Sequence, residues 1–160
     1  DRPFEIGDFI IIEDFLGTIE HIGIKTTRIR SLSGEQVIFS NTDLTGSRVR
    51  NYKRMDKRRV VFKLGVTYQT SLKQLKSIPQ IIEKIIKSIP DTLFDRAHFF
   101  AYGDSSLVFE TVYYILSNDY NKYMDIQQMI NLSIKENFDA EKIEFAYPTQ
   151  TLYVSNTNVS

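Results

Sequence analysis

The feature that most constrains this chain is a change in apolar spacing across the basic run Lys53-Arg54-Met55-Asp56-Lys57-Arg58-Arg59. Before it, short β-branched and apolar runs alternate with polar residues and are punctuated by turn residues. After it, alternating runs are interleaved with apolar stripes at helical spacing. A period of two and a period of about 3.6 bury their apolar faces against different partners. The run therefore reads as a linker between two units of different architecture.

The first unit, 1–54, reads as β structure. The run 2–8 reads as a sharp turn leading into an apolar strand, with 6–13 as the candidate strand, and Asp14-Phe15-Leu16-Gly17 reads as a turn. Residues 18–22 alternate and break at Gly23. Over 24–32, Ile24, Thr26, Arg28 and Arg30 share one face and Lys25, Thr27 and Ile29 the other. Ser31-Leu32-Ser33-Gly34 is a hairpin signal, and Gln36-Val37-Ile38-Phe39 is the return strand. Asn41-Thr42-Asp43 reads as a turn, with Asn41 near the left-handed region. A last short strand is expected over 49–52. Gly7, Gly17, Gly23, Gly34 and Asn41 are thus the expected structural turns, and several short strands with regular turn signals predict a small barrel or sandwich.

The second unit, 55–154, opens on an alternating strand over 60–67. Ser71-Leu72-Lys73-Gln74 has capping-box spacing, since a Ser hydroxyl and a Gln amide three residues on can each satisfy a free backbone donor. Pro79 suits the first position of a helix better than its interior, so the main helix is expected to start there. Ile81, Ile82, Ile85, Ile86 and Ile89 form its apolar stripe, and Pro90 ends it. A strand over 98–102, a turn at Gly103-Asp104-Ser105 and a strand over 107–116 follow. A second helix over 122–138 carries Tyr123, Ile126, Ile130, Ile134 and Phe138 on one face. A final extended segment over 145–154 contains Pro148, which suits an edge strand or two pieces. The order β-α-β-β-α-β matches the ferredoxin-like split βαβ motif. The polar tail 155–160 is expected to fray. The fold class is α+β: a small Sm/SH3-like β-barrel followed by a ferredoxin-like βαββαβ domain.

Composition narrows function. The 20 basic and 20 acidic residues cancel, whereas a dedicated nucleic-acid binder is usually basic. The absence of cysteine excludes disulfides and cysteine-ligated metals. The longest apolar run, near Phe9-Ile10-Ile11-Ile12, falls far short of the roughly 20 residues a spanning helix needs, and no signal-peptide pattern is visible. The chain begins at Asp1 rather than Met, which reads as a fragment or a processed product.

Little here points to chemistry. The two histidines, His21 and His98, fall in different units without clustered carboxylates, so no metal site is expected. His98, Asp104 and Ser105 supply the residue types of a triad but sit across one expected hairpin, where Asp104-Ser105 is ordinary turn chemistry. No phosphate-binding glycine motif, paired-carboxylate motif or redox motif is present. No cofactor and no catalytic residue is expected. Lys53, Arg54, Lys57, Arg58 and Arg59 read first as a solvated linker with strand-start charges and second as an electrostatic filter for anions or solutes. Phe99, Phe100, Phe109, Tyr113, Tyr114, Tyr120 and Tyr123 read as core and subunit contacts, because a split βαβ sheet must bury one whole face.

Several of these segments, taken in order, resemble the small-conductance mechanosensitive channel (MscS-like) family. They are Pro3-Phe4-Glu5-Ile6-Gly7-Asp8, Gly17-Thr18-Ile19-Glu20, Ile24-Lys25-Thr26-Thr27-Arg28-Ile29-Arg30, Asn51-Tyr52, Gly103-Asp104-Ser105-Ser106-Leu107, Tyr113-Tyr114, and Ile143-Glu144-Phe145-Ala146-Tyr147-Pro148-Thr149-Gln150-Thr151. Two positions depart from the family pattern. Phe39-Ser40-Asn41 replaces an Ile-Pro-Asn turn, and Lys142 stands where the family often has the glycine of a left-handed helix cap.

The resemblance implies the cytoplasmic part of an integral membrane channel on the inner side of the cell membrane. Its soluble domains would form a homo-heptameric vestibule below the pore, with Arg2, Pro3 and Phe4 nearest the membrane. The lipid bilayer would be met through transmembrane helices that precede this segment, and membrane tension would open the pore to ions and osmolytes. It also implies no nucleic-acid partner. Near-zero net charge would then give weak ion selectivity. The alternative is a soluble binding module that pairs the barrel with a small-molecule-sensing ferredoxin-like domain.

Overall fold

In the computed structural model, which describes residues 4–54, 57–148, 150 and 152, the chain divides into two units with the boundary between Asp56 and Lys57. Each builds its own antiparallel sheet, so the fold mixes α and β elements.

In the first unit the strands are β1 (Phe9–Ile12), β2 (Phe15–Ile22), β3 (Thr26–Ser31), β4 (Gln36–Ser40) and β5 (Val49–Asn51), with the short helix α1 (Asn41–Gly46) between the last two. Their order in the sheet is β4-β3-β2-β1-β5. All four residues of β1 are buried, which is why it reads as a continuous apolar run. Ile10, Ile12, Ile19, Ile29 and Leu44 form the core. On β3, Thr27 and Ile29 are buried and their neighbours exposed, the alternation expected for that strand.

Two turns differ from expectation. The β1–β2 connection is only Glu13-Asp14, with Glu13 at φ 51°, and Phe15 already pairs with Ile12. Phe15 gains an edge-to-face contact with Phe39, centroids 5.1 Å apart, so extending the strand buries a ring. Gly17 therefore lies within β2. A Cβ there would sit 2.7 Å from the Arg30 carbonyl oxygen and 2.5 Å from Ile29 Cγ2, so this glycine permits close strand approach rather than a turn. Asn41 also leaves its expected turn. It opens α1 outside the left-handed region, because Ser40 acts as N-cap and accepts from the Asp43 amide at 3.0 Å. Its side chain does the fixing instead: Nδ2 donates to the carbonyls of Gly23 and Ile24, each at 3.0 Å, and Oδ1 accepts from Thr27 at 2.7 Å. Gly23 and Gly34 stand in turns, the latter at φ 95° in the β3–β4 hairpin.

The second unit runs β6 (Arg58–Val66), α2 (Leu72–Lys87), β7 (Thr92–Tyr102), β8 (Leu107–Ile115) and α3 (Tyr120–Ala140), with sheet order β6-β8-β7. Ile78, Ile82, Ile85 and Ile86 of α2 and Ile126, Ile130, Ile134 and Phe138 of α3 pack with Val60, Phe109, Tyr113 and Ile115 of the sheet.

Here too the structure corrects the reading. The strand β6 opens on Arg58 and Arg59, the strand-start charges of the basic run, two residues before its expected start, and they pair with Ile115 and Tyr114. The helix α2 begins at Leu72, with Pro79 inside it. The capping box at Ser71 and Gln74 is complete and marks the true start; the isoleucine stripe carries the helix through the missing donor of Pro79. The strand β7 is twice as long as expected because bulges between Phe94 and Arg96 and between Phe99 and Ala101 break its alternation. After α3, the expected strand over 145–154 reduces, among the described residues, to an isolated bridge between Phe145 and Val66. Pro148, which lacks a donor, follows closely. Residues 149, 151 and 153–160, including the expected tail, lie outside the described residues.

Lys142 adopts the left-handed conformation expected of a helix cap at this position. Lys142 has φ 58°, its amide donates to Asp139 at 3.2 Å, and Ile143 donates to Phe138 at 2.8 Å. This is a Schellman cap with a lysine at the left-handed position, and its accompanying apolar pair, Phe138 and Ile143, is buried.

Candidate functional site

The start and the end of the first unit are tied together at one buried carboxylate. Asp8 is 1% exposed. Burying a charge requires compensating donors, and Asp8 Oδ2 accepts from the Glu5 amide and from Asn51 Nδ2, both at 2.9 Å. Lys53 Nζ lies 3.7 Å away. Burial pushes the Asp8 carboxyl up, but the bonds from Asn51 and Glu5, with the charges of Lys53 and Arg54, outweigh it and hold it below its usual range.

Backbone bonds complete the knot. Phe9 donates to Lys53 and Tyr52 donates to Phe9, both at 2.9 Å. Lys53 takes φ 58°, and its amide donates to Asn51 Oδ1 at 2.8 Å. Gly7, at φ 95°, leaves room for Arg54, whose Nε would lie 2.9 Å from a Cβ there. The Arg54 guanidinium donates to the Ile6 carbonyl at 3.0 Å. Phe4 packs against the unit's apolar core. Arg2 and Pro3 lie outside the described residues.

The five basic residues expected as linker charges each have their own local surroundings. Lys53 and Arg54 belong to the knot. Lys57 is half-buried, and burial lowers its pKa. Arg58 lays its guanidinium 5.0 Å from the Tyr123 ring centroid and 5.7 Å from that of Tyr120, with a buried Nε. Arg59 is exposed.

A second charged cluster escaped the sequence reading. Glu110, on the central strand β8, is nearly buried between Arg96 of β7, which donates to it, and Lys63 of β6, 3.8 Å away. Lys63 also stands 4.4 Å from the Phe100 ring centroid. Only the strand register, Lys63 opposite Glu110 and Glu110 opposite His98, brings these groups together. The knot was partly visible, because Gly7-Asp8 and Asn51-Tyr52 both carried the family resemblance, but their contact spans 43 residues.

These arrangements tie distant segments of each unit together. His98 sits opposite Glu110, and the Gly103-Asp104-Ser105 turn begins five residues later, roughly 16 Å along the strand, too far for a triad. Of the aromatic residues, Phe109 and Tyr113 are core, and the Tyr113 hydroxyl donates to Gln127 at 2.7 Å. Among the described residues, no three His, Asp or Glu side chains are grouped to hold a metal ion. Among the same residues, no helix is long and apolar enough to cross a membrane.

Residues 1–54 match the family model described as mechanosensitive ion channel, beta-domain, and residues 60–145 match mechanosensitive ion channel MscS, C-terminal. The chain is 36% identical over 159 residues to the small-conductance mechanosensitive channel MscMJ of Methanocaldococcus jannaschii, covering 99% of this chain and 45% of that protein. It is 29% identical to the low conductance mechanosensitive channel YnaI of Escherichia coli, covering 98% and 47% respectively. The chain thus spans less than half the length of these curated relatives. The cryo-EM structure of wild-type AtMSL1, from Arabidopsis thaliana, has a similar fold, with a TM-score of 0.50 at 16% identity over 90% of this chain and 51% of that one.

Proposed function

Because this chain belongs to the MscS family of mechanosensitive ion channels, we propose that it is the cytoplasmic vestibule part of a channel that releases ions and small osmolytes when membrane tension rises. The family is a family of channels, not of enzymes, and both matched models are channel domains, which disfavours the soluble binding module. In this reading 1–54 is a Sm/SH3-like barrel, 55–154 a ferredoxin-like domain whose last strand is the Phe145 bridge, and 155–160 a tail. Seven copies would surround a vestibule on the inner face of the membrane, with pore helices preceding Arg2, Pro3 and Phe4.

The observation that carries the mechanism is the Asp8 knot. A pore helix ending near residue 3 would pull on residues 4–8, and that segment is bonded directly to residues 51–54, where the unit ends. Force on the helix would be borne by the whole unit rather than by a free loop. Arg59 is exposed and remains a candidate for solute filtering by charge; Lys53, Arg54 and Arg58 act in this reading as structural cations.

The test is hypo-osmotic shock of channel-deficient cells expressing the full-length protein that contains this segment. Survival above the empty-vector level, reduced by Asp8→Ala at equal membrane expression, is expected. Survival no better than the vector would overturn the reading.

A further inference from the structure

On the edge strand β5, Val49 packs against the first unit's core. Arg50 stands opposite Ile11 of β1, and its side chain alternates with that of Val49; Arg48 is the residue just before the strand. Arg48, Arg50, Ile11 and Glu13 line one pocket of about 580 Å³. Ile11 is 3% exposed although it lies outside the isoleucine core, so it supplies an apolar floor.

The three charged groups are unspent. Among the described residues, Arg48, Arg50 and Glu13 make no side-chain hydrogen bond or ion pair. Arg30, Arg54 and Arg96, by contrast, are held by carboxylates or a carbonyl. The two arginines, two residues apart in the chain, bring two guanidiniums to one pocket. They repel one another, and an oxyanion bridging them removes that repulsion with charge-assisted bonds. A lone anion in this pocket would also face Glu13, and a lone cation would face both arginines. A ligand carrying both charges satisfies all three groups.

We propose that this pocket binds a small zwitterion, a phosphate or carboxylate joined to an ammonium by a short aliphatic linker. The anionic end sits between Arg48 and Arg50, the ammonium at Glu13, and the linker over Ile11. This site is independent of the vestibule reading.

The test is an NMR titration of the 160-residue chain with phosphoethanolamine and with β-alanine. Inorganic phosphate and ethylammonium serve as single-charge controls. The expected result is a saturable shift of the Ile11 methyls and the Arg50 amide with at least one zwitterion, bound more tightly than either control. Arg48→Gln with Arg50→Gln weakens it about tenfold or more. Glu13→Gln weakens the zwitterion while tightening inorganic phosphate. If the double variant loses its native spectrum, Arg50→Lys, which keeps the charge but not the fork, takes its place and binds several-fold more weakly. Flotation with phosphatidylethanolamine vesicles, lost in the arginine variant, identifies a lipid headgroup as the source; binding of the soluble probes without flotation identifies a free solute. Absence of a saturable shift with both zwitterions overturns the proposal, as does phosphate binding that is equally tight and indifferent to Glu13→Gln.

Discussion

Replacing Asp8 by alanine should cost the first unit about 3 kcal/mol. The carboxylate accepts two hydrogen bonds at 2.9 Å, from the Glu5 amide and Asn51 Nδ2, inside a nearly closed environment. A bond to a charged group contributes about 1.5 kcal/mol at the low end of its range. Lys53, at 3.7 Å, adds no more than about 0.5 kcal/mol, because its side chain is 63% exposed and its attraction is screened. A unit of this size has a total stability of only roughly 3–8 kcal/mol, so the variant would be close to unfolding locally. Native-state hydrogen exchange is the assay, read at the Phe9 and Tyr52 amides, which bond to the carbonyls of Lys53 and Phe9. Protection at both should fall roughly 100-fold, while the Val112 amide in β8 of the second unit is unchanged. A fall of less than about threefold at Phe9 and Tyr52 would refute the claim that this carboxylate holds the two ends of the unit together.

Further expectations follow from the same structure. Because the Asp8 carboxyl is held below its usual range when folded, its contribution is fully present above the unfolded value of about 3.9 and is lost as pH falls through the lower folded value. Acid titration of unfolding should therefore show a loss below about pH 4 that Asp8→Asn lacks; equal acid sensitivity would contradict this. Arg58→Ala should cost the second unit about 1–2 kcal/mol through its lost contact with Tyr120 and Tyr123, whereas exposed Arg59→Ala should stay within about 0.5 kcal/mol; urea unfolding followed by circular dichroism separates them, and equal effects would contradict their placement. Lys142→Gly relieves a left-handed side-chain cost of about 1 kcal/mol against a similar gain in unfolded-chain entropy, so thermal unfolding should find it neutral or slightly stabilised, and clear destabilisation would exclude the Schellman cap. Gly17→Ala places a methyl against the Arg30 carbonyl and should lower stability by about 2 kcal/mol; a neutral result in the same scan would mean that β2 and β3 are not so close.

The sequence exposed what depends on local pattern. The capping box at Ser71 and Gln74, the β3–β4 hairpin at Gly34 and the stripe Ile126, Ile130, Ile134 and Phe138 rest on neighbours a few residues apart. Where a local signal competed with a tertiary one, the reading failed. Pro79 suggested a helix start, yet buried isoleucines on both sides of it keep α2 continuous. Alternation could not reveal the full length of β7, because each of its bulges resets the period. Gly17 looked like a turn, although its reason is the Arg30 backbone on the next strand. The site was least legible. A run of five basic residues looks like one feature in the sequence, but Arg58 stacks on Tyr120 and Tyr123, far along the chain, and Arg54 reaches back to Ile6. The contact of Asp8 with Asn51, and those of Glu110 with Arg96 and Lys63, depend on strand pairing between distant segments, and single-sequence spacing does not encode it.

Patch-clamp recording of the full-length protein containing this segment, reconstituted in liposomes, tests the central claim most directly. Currents that appear with applied membrane tension, and that need more tension or vanish in Asp8→Ala, are the predicted result. Failure to open at any tension below membrane rupture would contradict the assignment as a tension-gated channel, and unaltered gating in Asp8→Ala would contradict the knot as its mechanical anchor.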